Sequence, residues 1–486
     1  MSIEAKDLIS SSDYSPSRLS GNMGAFSLML TVLAFSAPLT TVSGYIPVSL
    51  MFGGIASPLI FIMATAVILI FAVGYISLND AVKRPGDFYA FISFGLGKSL
   101  GLGSGFMAAV SYFLLLAGVA SFFGVSCAEL QRSITGYAMP WYAYTLICWL
   151  AVAVMGYLNV ELSAKVLTWV MFAEIIICLA FAFGVFGAAG TQPVGMSPFT
   201  PSELTGVGIN VPFSMLFAVS FFMGFEATAL FRDEVKMPEK TIPRATYGAI
   251  ICIGLLYTVS AYALISAYGA DTQAVATSNP ASMFSLAFAN FISPRFHLLL
   301  TLMVLTSSFA CVLSIHNVLS RYLHNLATDG ALPETLKKVH VRHLSPYFAS
   351  FTVSVMVLLV LVPFIAKGVK PEVLYGQLSG VGTAGVIILM TMVCLSSISY
   401  FLREGKKQRR SFSKLFLAPF ISASFFIWLV FLVVKNFEML AGGEPGERRW
   451  MLYSLMAVIA AGAMAARYFK ARKPDVFARL GRTYIS

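Results

Sequence analysis

The sequence predicts an all-α integral membrane protein of twelve transmembrane helices, and three observations carry that prediction. The chain is 58% hydrophobic and 11% charged, with a mean hydropathy of +0.81, far from the near-half apolar and quarter-charged balance of a soluble domain. Twelve apolar runs approach or exceed the roughly 20 residues that a helix needs to cross the hydrocarbon. They lie at 24 to 52, 58 to 79, 104 to 130, 141 to 158, 162 to 188, 207 to 231, 244 to 268, 295 to 326, 347 to 366, 378 to 402, 414 to 435 and 450 to 469. The third observation is that positive charge collects between alternate runs.

On one side lie Lys6, Arg18, Lys83, Arg84, Lys98, Arg232, Lys236, Lys240, Arg244, Arg321, Lys337, Lys338, Arg342, the cluster from Arg403 to Lys414, and the basic tail from Arg467 to Arg482. The other side holds Arg132, Arg295, Lys367, Lys370, Lys435, Arg448 and Arg449. Positive loops are retained in the cytoplasm, so both termini are expected there, with the protein in the cytoplasmic membrane. The same asymmetry accounts for the net charge of +11 without a nucleic acid partner. The juxtamembrane cluster suits anionic lipid.

Several classes are disfavoured at once. The six cysteines fall inside apolar runs without CxxC spacing, so neither a disulfide framework nor a metal site is expected. Residues 1–23 show no removable leader pattern. No G-x-x-x-x-G-K-[ST] stretch points to ATP, and no cofactor is called for.

In order along the chain, the first run contains Ser36, Ala37, Pro38, Leu39, Thr40, Thr41, Val42, Ser43, Gly44 and Pro47. Proline removes a backbone donor and clashes with the preceding turn, while Ser and Thr replace lost hydrogen bonds. Taken alone, this run reads as a proline kink. The stretch from Lys83 to Gly103 is Gly-rich and amphipathic and reads as a cytoplasmic interfacial segment. Glu129 and Glu174 are carboxylates in the third and fifth runs, each expected to pair with a polar neighbour. Lys165, in NVELSAKVLTWV, lies one turn into the fifth run and by position alone is equally a snorkelling lysine.

The sixth run is the exception to a packing account. Ser220 to Glu234 reads SFFMGFEATALFRDE, with Gly224 weakening the helix beside a carboxylate, Glu226. An intramembrane charge costs several kcal/mol and marks a functional site by default. Phe221, Phe222 and Phe225 flank the break. Val235 to Arg244, with two prolines, reads as a short connection. The eighth run supplies Thr306, Ser307 and Ser308, then His316 with Asn317, a polar pair suited to holding helices together. Interruptions at corresponding positions of two halves are the best sequence pointer to a transporter site, and here they fall in the first and sixth runs.

The stretch GFEATALFRDEVKMPEKTIPRAT, the loop RPGDFYAFISFGLG and SRYLHNLATDGALP together resemble the amino acid, polyamine and organocation (APC) transporter superfamily across most of runs one to nine. The resemblance implies a five-plus-five inverted repeat with broken helices 1 and 6, a transporter core at 24–402, two added helices within 403–470 and a cytoplasmic tail at 471–486. It also implies that Lys165 projects between the first and eighth helices, where sodium-coupled relatives bind an ion, with Thr306 and Ser307 receiving its ammonium. Family members that bind α-amino acids usually carry a GSG-like triplet at the first break, where this chain has Thr40, Thr41 and Val42.

The function expected is sodium-independent secondary transport of a small amino acid by alternating access, proton-coupled or by exchange. The solute carboxylate would meet backbone amides around Thr41 to Gly44, and its ammonium carbonyls near Phe221 to Gly224. Glu226 would brace the breaks or carry a proton, and Lys165 would couple or gate. A polyamine or other organic amine is the alternative solute. A channel would use rings of like residues or carbonyls, and an intramembrane enzyme fits less well, since Ser307 and His316 are nine positions apart, half a turn off one helix face.

Overall fold

The computed structural model describes residues 21–83, 88–158, 160–188, 194–340, 343, 345–369, 371–405, 411–437 and 449–481, without the side chains of 160–165, 167, 281, 372, 373 and 405. The described residues are helices and connecting turns, with one isolated parallel bridge between Met23 and Val235. In chain order the helices are α1 (Ala25–Ser36), α2 (Ile46–Gly53), α3 (Ser57–Val82), α4 (Phe88–Leu96), α5 (Lys98–Thr135), α6 (Trp141–Leu158), α7 (Val160–Gly187), α8 (Val211–Ser220) and α9 (Pro238–Tyr268). They continue as α10 (Thr272–Ser278), α11 (Pro280–Phe291), α12 (His297–Thr328), α13 (Tyr347–Ala366), α14 (Pro371–Tyr400), α15 (Ala418–Lys435), α16 (Arg449–Arg472) and α17 (Pro474–Arg479). A short piece, Pro38–Thr40, and a wide turn, Thr41–Tyr45, join α1 to α2, and a 3₁₀ segment, Phe225–Glu234, follows α8.

Among the described residues, eleven helical stretches are long and apolar enough to span a membrane. The first, Ala25–Val82, is 58 residues long, far more than one crossing requires. It is interrupted at Gly53 and Gly54, where Gly54 takes a φ of 46°. The protein is therefore an all-helical, multi-pass membrane protein. Trp169, Phe183, Leu359 and Trp450 point outward along the bundle, which apolar side chains do at no cost in lipid.

Three expected boundaries move. The segment from Val235 to Arg244 is largely helical, because Pro238 starts α9 in its first turn, where a missing N–H is no loss; Pro243 lies inside the helix. The stretch after Lys83 is less interfacial than its composition suggests. Phe88 to Ile92 are consecutively buried under α5 and α14, and the hydroxyls of Ser396 and Ser399 donate to the carbonyls of Phe91 at 2.5 Å and Gly95 at 2.9 Å. The tenth run begins earlier, at Pro371.

Residues Val211–Glu234 are almost wholly buried, so the broken sixth span is the centre around which the others pack. Its far end is pinned. Arg321 on α12 donates from Nε and Nη2 to the two carboxylate oxygens of Glu234, at 2.5 and 2.8 Å, and from Nη1 to the carbonyl of Asn317 at 3.0 Å. Its guanidinium also lies 4.3 Å from the centre of the Phe231 ring. Met23 N–H donates to the Glu234 carbonyl at 3.0 Å, tying the chain before α1 to the same point. On the same face Tyr89 donates to Asp329 at 2.8 Å, and Gly481, just past α17, donates to both.

Candidate functional site

The first break falls at Ala37, which takes a left-handed φ of 45° and ψ of 72°. Pro38 is the cause: its ring disfavours the helical region for the residue before it. An alanine pays about 1–2 kcal/mol for that geometry, so the surroundings must hold it. The break leaves the first amides of the next helical piece without partners inside the helix. They are the N–H groups of Leu39 and Thr40, ahead of the Thr41 to Gly44 stretch. Thr41 N–H donates to the Ala37 carbonyl at 2.8 Å, and Thr41 to Tyr45 form the wide turn.

Both free amides are occupied by side chains from other spans. Leu39 N–H donates to Oε2 of Glu174, on α7, at 3.0 Å, and Thr40 N–H donates to Oγ of Ser307, on α12, at 3.2 Å. The Ser307 hydroxyl in turn donates to the same Glu174 oxygen at 2.7 Å. An anion at a helix N-terminus is favoured by free donors and by the positive end of the helix dipole. Glu174 is fully buried, and its Oε1 is without a hydrogen-bond partner among the described residues.

The second break is at Gly224, with φ 110° and ψ −26°. Glu226 turns back on it. Gly224 N–H donates to Glu226 Oε2 at 2.8 Å, Tyr112 on α5 donates to Oε1 at 2.8 Å, and Tyr75 on α3 donates to the Glu226 carbonyl. Each broken span is thus capped by one buried carboxylate. Tyr112→Phe removes a donor to a buried carboxylate, and a loss of about 1–3 kcal/mol is expected, read as a lower melting temperature in detergent with the chain still folded.

The two breaks touch. Ser36 Oγ donates to the Phe221 carbonyl at 3.2 Å and lies 2.5 Å from the Tyr257 hydroxyl on α9, which also donates to the Ser36 carbonyl at 3.2 Å. The Phe221 ring is enclosed by Tyr45, Phe61 and Tyr257, with centres 6.4, 5.5 and 5.8 Å away. Tyr45 also meets Tyr375 of α14 at 5.6 Å.

The other expected site residues are distributed as follows. Thr40, Thr41, Val42, Phe222 and Phe225 are buried; Phe225 packs on Phe71 and Tyr75. Ser43 is half-buried and donates to the Thr40 carbonyl at 3.2 Å. A side chain added at Gly44 would meet no atom within 4 Å, so this turn borders open space. Ser307 joins the first break, whereas Thr306 donates to the Met303 carbonyl of its own helix at 2.9 Å. The side chain of Lys165 lies outside the described residues. His316 bridges α12 to α13, 3.2 Å from the Ser350 carbonyl and 3.1 Å from the Ser354 hydroxyl. Glu129 lines an outer cavity of about 410 Å³ with Arg132, Tyr137 and Trp141.

Glu174, expected from the sequence only to pair with a polar neighbour, caps the first break. It stands 135 positions from Leu39, and only tertiary packing ties it to a break. Its signal was its residue type alone, an acid in the middle of a spanning helix.

The sequence model described as Amino acid permease matches residues 28–474. The branched-chain amino acid permease of Lactococcus lactis is 23% identical over 396 residues, covering 76% of this chain and 80% of the relative. Its counterpart in Bacillus subtilis is 24% identical, covering 69% and 72%, and the methylthioribose transporter of the same organism is 23% identical, covering 76% and 79%. With the family model spanning nearly the whole described bundle, the chain belongs to the amino acid permease family, and it is a membrane transport protein rather than an enzyme.

Proposed function

We propose that the protein is a secondary transporter that carries a small amine-bearing solute, first an amino acid, across the cytoplasmic membrane by alternating access. The observation that carries this reading is the meeting of two interrupted spans at Ser36 and Phe221, beside two buried carboxylates and deep in the bundle. Broken helices are tolerated at membrane depth only where the freed backbone groups are buried in protein or line a cavity, and transporters place their sites at such breaks. In this reading the chain crosses twelve times, with Ala25–Val82 folded as two crossings. Spans one to five and six to ten form inverted repeats, and both termini are cytoplasmic.

Transport is sodium-independent, with protons or a second solute as the coupled partner. Glu226 braces the sixth break, and Lys165 remains the proposed coupling residue. Residues Thr40 to Gly44, Phe221, Phe222, Gly224 and Phe225 border the solute, and Thr306 and Ser307 face the coupling region. Leucine is the first probe, because two of the relatives are branched-chain amino acid permeases.

A second reading, an organic amine without a carboxylate, is favoured by the occupation of the Leu39 and Thr40 amides by Glu174 and Ser307. A thermal-shift screen of the purified protein with amino acids and amines tests the proposal, since a ligand that binds only the folded state raises its apparent stability. Amino acids are expected to raise the melting temperature in a saturable manner. Stabilisation by neither class overturns the proposal.

A further inference from the structure

Glu174 is satisfied at only one of its two carboxylate oxygens among the described residues. Its Oε2 takes the Leu39 amide and the Ser307 hydroxyl, while Oε1, equally buried, has no partner among the described residues. None of the ion pairs among the described residues includes it. A carboxylate taken out of water without a counter-charge costs several kcal/mol, and a buried polar atom left unpaired costs about 1–3 kcal/mol more. Both deficits are removed by one incoming group, a cation that donates a hydrogen bond.

The surroundings select the kind of cation. A metal ion requires a cage of several oxygens. Among the described residues no cluster of His, Cys, Asp or Glu side chains that could hold a metal surrounds Glu174, and the hydroxyl hydrogens of Ser307 and Tyr257 are already given to Glu174 and to the Ser36 carbonyl. Cys311, across the site on α12, donates its thiol to the Phe35 carbonyl at 3.0 Å. One free carboxylate oxygen suits an ammonium, which can be held by a single strong charge-assisted bond.

We propose that Glu174 is the specificity-determining residue that receives the amino group of the transported solute, and that the first break requires no carboxylate from that solute. The assignment rests on the transport reading above. The protein supplies its own carboxylate to the Leu39 amide, so the break is already satisfied when the solute arrives. Recognition then turns on the amine, and compounds that keep it while masking the acid remain ligands.

The test uses the whole protein, in thermal-shift and competition assays with leucine, leucinamide, isoamylamine and the oxo acid of leucine. Leucinamide and isoamylamine are expected to compete within about threefold to tenfold of leucine, and the oxo acid, which lacks the amine, not at all. Glu174→Gln keeps an acceptor for the Leu39 amide and is expected to weaken binding of the three amines at least tenfold, with Glu174→Asp recovering part of the loss. Loss of binding on masking the carboxylate, undiminished binding by a folded Glu174→Gln, or stabilisation by sodium ion alone that Glu174→Gln abolishes overturns the assignment while leaving transport intact. Absence of binding by leucine and by every amine overturns the transport reading and the assignment together.

Discussion

Replacing Gly224 by alanine is expected to abolish uptake and to lower the melting temperature by an amount equivalent to about 3–5 kcal/mol, the sum of a left-handed backbone forced on a side chain and an overpacked core. The backbone φ of 110° lies where only glycine sits without strain. A Cβ there would fall 2.5 Å from the Phe35 Cβ and 2.6 Å from its Cγ. Phe35 cannot yield cheaply, because it is buried and meets Tyr112 edge-on at 5.7 Å, and Tyr112 in turn holds Glu226. Gly44→Ala is the matched control: nothing lies within 4 Å of the added atom, and its cost in stability is expected to stay below about 1 kcal/mol. Wild-type uptake and melting by Gly224→Ala would remove the strained turn from the account.

Arg321→Ala is expected to destabilise the protein by about 3–5 kcal/mol, the cost of leaving a buried carboxylate without its partner. Arg321 and Glu234 are 1% and 4% exposed, and their paired contacts of 2.5 and 2.8 Å form a fork. The pair joins α12 to the end of the 3₁₀ segment below Gly224, so its loss frees the sixth span to move as well as weakening the bundle. Removing both charges in Arg321→Ala with Glu234→Gln is expected to recover part of the stability, because the orphaned carboxylate is then gone. Thermal melting of the two variants beside wild type checks this. A double variant that melts no higher than Arg321→Ala would show that the orphaned Glu234 carboxylate is not the source of the loss.

The membrane class and most helix positions were legible because hydropathy reports what lipid requires, and no tertiary information is needed to see it. The sixth break was equally legible: a glycine beside a glutamate in an apolar run has few structural solutions. The first break was read at the right proline but placed late, around Thr41 to Gly44. The residue that turns is Ala37, set by the steric demand of Pro38, and the freed amides are those of Leu39 and Thr40. What fills them was not legible. Glu174 and Ser307 are 133 positions apart, and the pattern along α7 gives no indication that its acid faces a broken helix. The buried packing of α4 was hidden for a related reason, since it depends on α14 and on the residues after α17 folding back over it.

The two touching breaks are proposed to form the path of an amine-bearing solute. The most direct measurement is counterflow of labelled leucine into proteoliposomes preloaded with unlabelled leucine, without sodium, for wild type and Gly224→Ala. Wild type is expected to accumulate label saturably, unaffected by the absence of sodium, and the variant not at all. Linear, non-saturating entry, a strict sodium requirement, or equal counterflow by Gly224→Ala would contradict the proposal.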